Sequence, residues 1–138
     1  MVNKLEAAAA TDTAAEVDGA WFEYTASGSV FRIKLARAGT VNEPFAKLQN
    51  DLLKPWRLRH RGTGPLEIPP KDDREMARKL YSQTVVKDWN VDDVGVPFSV
   101  EAVADLFIKA PDFQDWVVNT AQSADNFRRA DIEARAGN

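Results

Sequence analysis

Apolar and polar side chains alternate from Val30 to Leu35, where Phe31, Ile33 and Leu35 are separated by Arg32 and Lys34, and aromatic residues crowd Trp21 to Tyr24. That period of two, with Ala26-Ser27-Gly28-Ser29 between the two runs, predicts a β-hairpin. Beyond Asn42-Glu43-Pro44, a capping residue with proline in a first helical turn, the period lengthens. Phe45, Leu48, Leu52 and Trp56 recur at helical spacing, and Pro55 should end or kink that helix near Lys54 because proline brings no backbone donor. Residues 61–70 hold two Gly and three Pro, the composition of a loop. A second helix, capped by Asp72 or Asp73, carries Met76, Ala77, Leu80, Tyr81, Thr84 and Val85 on one side and is expected to run to about Asp88.

Trp89 to Pro97 is rich in turn formers, and Ser99 then caps a helix bearing Val103, Leu106 and Phe107. Pro111 opens a last helix with Phe113, Trp116, Val117, Thr120, Ala121, Ala124 and Phe127 along one face. The expected fold class is α+β, mostly α: an amino-terminal β-hairpin followed by four helices in one small domain. Its expected extent is residues 19–130. Residues 1–18, nearly devoid of large apolar side chains, read as a flexible tail, and 131–138 as a flexible carboxy terminus.

Composition narrows the chemistry. The chain has no cysteine and one histidine, His60, which removes thiolate sites, disulfides and most acid–base or metal constellations. No Gly-rich phosphate loop ending in GKS or GKT occurs. Asp88, Asn90, Asp92 and Asp93 imitate the start of a calcium loop, but the obligatory glycine place holds Asp93 and the place of the bidentate Glu holds Ser99. A polar turn is the better reading. The expectations are therefore no catalysis, no cofactor and no metal, and, with no segment near the roughly 20 apolar residues of a membrane span, a soluble protein of a reducing cytoplasm.

Net charge is only −3, yet it is unevenly spread. Residues 19–87 carry 13 Lys or Arg against 7 Asp or Glu, whereas residues 88–127 carry 8 acids against Lys109 alone. Opposite fields on one chain suit protein contacts, including contacts between copies. The basic run Lys54, Arg57, Arg59, His60 and Arg61 beside Trp56 also has the composition of a nucleic-acid patch, which an acidic chain without a nucleic-acid module makes the weaker reading. Candidate partner-binding residues are Trp56, Arg57, Arg59, Arg61, Trp89, Phe98 and Trp116, since Trp and Arg dominate binding hot spots.

Val85-Val86-Lys87-Asp88-Trp89-Asn90-Val91, then Gly95-Val96-Pro97-Phe98-Ser99, Glu101-Ala102, Pro111-Asp112-Phe113 and Asp125-Asn126-Phe127 follow one another in an order and spacing that resembles the tail assembly chaperones of long-tailed, siphovirus-type bacteriophages. Phe31 to Ala38 followed by Asn42, Phe45 and Leu48 resembles the strand and first helix of the same family, so the likeness spans about residues 20–128. The alanine-rich first 18 residues and the loop Gly62 to Pro70 depart from it. The resemblance implies no catalytic residues. It implies a chaperone in the host bacterial cytoplasm that binds and solubilises the tape measure protein, works with the tail tube protein during assembly, self-associates in multiple copies and is absent from the finished virion. A small nucleic-acid-binding regulator and a tail completion or connector subunit are the competing readings.

Overall fold

The structure, a computed structural model, describes residues 3–136; Met1 and Val2 of the expected tail, and Gly137 and Asn138 of the expected carboxy terminus, lie outside it. Its elements begin with α1 (Lys4–Ala9) and α2 (Thr13–Asp18), followed by strands β1 (Ala20–Ala26) and β2 (Ser29–Leu35). Then come α3 (Glu43–Arg59), α4 (Pro70–Thr84), β3 (Val86–Trp89) and the single turn α5 (Val91–Val94). Last are α6 (Val100–Lys109), α7 (Pro111–Gln122), a 3-10 turn (Ala124–Phe127) and α8 (Arg129–Ala136). The fold class is α+β, mostly α. Among the described residues no helix is long and apolar enough to cross a membrane.

The hairpin forms where the alternation predicts it. Ser27 and Gly28 both take positive φ, 50° and 79°, as a tight two-residue turn between twisted strands demands. The register pairs Phe22 with Ile33 and Tyr24 with Phe31. One face of this ribbon therefore carries Phe22, Tyr24, Ala26, Phe31, Ile33 and Leu35, and the other carries Trp21, Glu23, Arg32 and Lys34.

A third strand lies beyond the sequence reading. α4 stops at Thr84 rather than Asp88, and Val86–Trp89 pairs antiparallel with β2, giving the strand order β1-β2-β3. The Thr84 hydroxyl donates back to the Leu80 carbonyl at 2.6 Å, and the Val85 carbonyl accepts from the Ala36 N–H at 2.8 Å, so the chain leaves the helix directly onto the open edge of β2. Buried Asn42 ties the junction together, its amide donating to the carbonyls of Arg37 and Thr84, each at 3.0 Å.

Two helix ends also differ from expectation. α3 runs through Pro55 to Arg59, because the bond that Pro55 cannot make lies on the exposed face, where solvent can serve the freed carbonyl. Its last turn is closed by the Arg59 side chain donating to the Pro55 carbonyl and by the His60 N–H donating to Trp56 and Arg57. α7 ends at Gln122, and the 3-10 turn carries Phe127 inward to meet Phe22 edge-on at 5.7 Å.

Residues 1–18 were expected to form a flexible tail, but Lys4–Ala9 and Thr13–Asp18 are helical, capped by the side chains of Asn3 and Asp12. The second is held by polar contacts that a count of large apolar residues overlooks. Glu16, 2% exposed, forms an ion pair with Arg37, whose N–H donates to the Glu16 carbonyl. The Asp12 N–H donates to Phe127 and the Arg129 N–H to Ala10, both at 2.8 Å, so the two ends of the chain are joined around the bridge between Thr11 and Arg128. The expected carboxy-terminal boundary falls inside α8, where Ile132 packs on the core and Arg135 lies over the Phe22 ring at 4.8 Å.

Candidate partner-binding surfaces

The inner face of the sheet packs against α7 through Tyr24, and toward the hairpin turn this packing opens. There Tyr24 and Ala26 of β1 and Phe31 and Ile33 of β2 face Leu106 and Ala110, at the end of α6, and Phe113 of α7 across an open cleft of about 240 Å³. Trp89 of β3 and Val94 of α5 complete its lining, so every lining residue is apolar or aromatic. The walls are stiff. Tyr24 meets Phe113 at 5.2 Å and Trp116 at 5.0 Å between ring centres, and Phe107 backs Phe113 at 5.6 Å. The volume lies below the roughly 300–1,000 Å³ of small-molecule sites and matches the scale of one or two side chains from a protein partner.

Of the predicted aromatic candidates, Trp89, Phe98 and Trp116 gather around this cleft, with one correction. Trp89 is 2% exposed and its indole N–H already donates to the Val96 carbonyl at 2.9 Å, so it belongs to the buried lining of the cleft and is not an exposed anchor. Phe98, half-buried, stands perpendicular to Trp89 at 5.4 Å and supports it. Trp116, also half-buried, flanks the cleft by packing on Tyr24 and Phe113. Tyr24, Ala26 and Phe31 are not among the candidates that the sequence offers. The available signal was that they share the period-two face with buried Phe22 and Ile33 while lying nearest the turn.

The acid-rich segment beside the cleft is a built turn. The Asn90 side chain caps α5 by accepting from the Asp93 N–H, and Gly95 closes that turn in the left-handed conformation at φ 90°. Asp93 reaches back across the sheet, its carboxylate accepting from Arg32 Nε at 2.9 Å, from the second guanidinium nitrogen at 3.2 Å and from the Arg32 backbone N–H at 3.1 Å. These bonds from the Arg32 side chain and then its backbone hold the Asp93 carboxyl below its ordinary pKa, and the same pair raises that of Arg32.

A group with a depressed folded-state pKa contributes stability that is present above its unfolded value and lost as pH falls through the folded one. Thermal unfolding of the wild type should therefore weaken on acidification below roughly pH 4, the ordinary carboxylate range, more steeply than that of Asp93→Asn. Parallel curves would show that the clamp contributes nothing.

The other candidates sit at the end of α3. Trp56 is half-buried beneath the Arg59 guanidinium, 4.4 Å from its ring centre, while Arg57, Arg59 and Arg61 are exposed. His60 Nε2 lies 2.8 Å from the Gly64 carbonyl and fixes the loop that follows. Leu58, absent from the candidates, stands among these cations at 77% exposure. The sequence does place it between Arg57 and Arg59, off the stripe formed by Phe45, Leu48 and Leu52. None of these residues lines the cleft, so the chain presents two separate surfaces, one apolar and one basic.

In comparison with known proteins, the family model described as YdaY prophage protein matches residues 40–138. These include Trp89, Val94, Leu106, Ala110 and Phe113 of the cleft and the whole basic end of α3, whereas Tyr24, Ala26, Phe31 and Ile33 lie upstream of the match. No curated protein and no solved structure matches the chain.

Proposed function

The chain belongs to the YdaY prophage protein family and is thus phage-derived, and from that premise we propose that it is a phage tail assembly chaperone, a binding protein and not an enzyme. In this reading it binds and solubilises the tape measure protein in the host cytoplasm, aids assembly of the tail tube and does not remain in the virion. The observation that carries the reading is the cleft at the hairpin tip. A long amphipathic chain exposes apolar side chains that would otherwise associate with one another, and a stiff slot for one or two such side chains, repeated over many copies, is a physical means of covering them. The ordered signals from Val85 to Phe127, which resemble the tail chaperones, support the same assignment and lie inside the matched residues.

Co-expression with the long helical tail protein of the same prophage tests the proposal. The tail protein should move from the pellet to the soluble fraction when this chain is present, and equal insolubility with and without it would refute the chaperone role. The nucleic-acid reading through Arg57, Arg59 and Arg61 predicts instead a salt-dependent affinity for duplex or single strands in a filter-binding titration. Recovery of the protein from purified virions would favour a tail completion or connector subunit.

A further inference from the structure

We propose that the cleft at the hairpin tip also receives the basic end of α3 from a second copy of this chain, with Leu58 as the inserted side chain. The inference rests on the cleft being a docking surface, as the proposed function has it, but not on the identity of the client. Three features of the chain point to a second copy.

The first is a knob without a hole. Leu58 is the most exposed large apolar side chain among the described residues, and it sits on the last turn of α3 between the exposed Arg57 and Arg59. A leucine so placed gains little from burial within its own fold. The second is a hole without a knob: an apolar slot of about 240 Å³ to which α3 of the same chain contributes no residue.

The third is charge. Arg57, Arg59 and Arg61 have no carboxylate partner within the chain among the described residues. The elements that line the slot carry exposed acids in the same condition, Asp92 on the turn with Val94 and Asp112 on the helix with Phe113. An apolar knob flanked by cations thus meets an apolar slot built from elements that carry carboxylates, a pairing in which charges select and orient a partner while the apolar contact supplies affinity.

The contact joins two different patches, so it closes when two copies exchange knobs reciprocally or when successive copies complete a ring; otherwise it propagates from copy to copy. In either case a client helix and a neighbouring copy compete for one slot.

Because the chain contains no cysteine, the contact can be trapped cleanly. Leu58→Cys protein mixed with Ala26→Cys protein under mild oxidation should give a mixed disulfide dimer in several-fold higher yield than Leu58→Cys mixed with Gln83→Cys, an exposed position on α4. The excess should vanish when Arg57→Glu and Arg59→Glu are added to the Leu58→Cys chain. Sedimentation velocity without cysteines gives a second reading: the wild type should gain mass with concentration at low salt, and Leu58→Asp should remain a monomer. A mixed dimer no more abundant than the control, or a wild type that stays monomeric, would overturn the proposal. Both experiments omit the client, so their failure leaves the solubilisation test standing, and failure of that test leaves this contact standing.

Discussion

Phe127→Ala is expected to destabilise the fold by about 3–5 kcal/mol, the usual cost of emptying a buried phenylalanine site. The ring is fully buried and meets Phe22 of β1 edge-on at 5.7 Å, so its loss opens a cavity where the sheet, α7 and the carboxy-terminal turn converge. The consequence should exceed the cavity alone. The backbone of the same residue accepts from the Asp12 N–H, and its neighbour Arg128 bridges to Thr11, so a displaced turn also releases the amino-terminal helices.

Domains of this size are stable by only about 5–15 kcal/mol, so the variant should lose a large part of its margin in urea. Leu5→Ala, on the exposed face of α1, should change it by no more than about 0.5 kcal/mol. A Phe127→Ala loss under about 1 kcal/mol would mean that the site collapses without a cavity, contrary to the packing described.

The elements that the sequence discloses are those whose causes are local. The alternation around Phe31, Ile33 and Leu35 and the Ser27-Gly28 turn are sufficient for a hairpin, and proline in the first turn is sufficient to start α3 and α7 near Glu43 and Pro111, although Asn42 makes no capping bond and donates to Arg37 and Thr84 instead. β3 escapes because its cause is distant. Val85, Val86 and Trp89 continue an acceptable helical face, and they become strand only because β2 offers an unpaired edge. The amino-terminal helices escape for a related reason, since Glu16 and Arg37 are individually unremarkable and act only once folding brings them together.

Trp89 shows the limit for binding residues. An indole in an acidic, turn-rich segment has the composition of an exposed anchor, and its pairing opposite Ile33 and its bond to Val96 are what bury it. The phage origin is legible in the resemblance between Val85 and Phe127, whereas the cleft is not, because its lining is assembled from three strands and three helices distant in sequence.

Ala26→Lys should lower the affinity for the proposed helical client by more than tenfold, about 1.4 kcal/mol, while leaving the fold intact. Ala26 closes β1 next to the turn, half-buried and paired with Ser29, so a longer side chain there can reach solvent and need not disturb Phe22 or Ile33. Within the cleft the effect is direct. The methyl group is part of a lining that is otherwise aromatic and aliphatic, and a lysine stem narrows the slot while its ammonium carries water to the mouth.

The added cation should also repel Arg57 and Arg59 of a neighbouring copy, so self-association and client binding should fall together in this variant. Leu58→Asp, which leaves the slot untouched, should abolish self-association alone. Unchanged thermal unfolding with lost client solubilisation would assign the cleft as the client seat. Full solubilisation by Ala26→Lys would mean that the proposed client is held elsewhere on the chain, however well the cleft is formed.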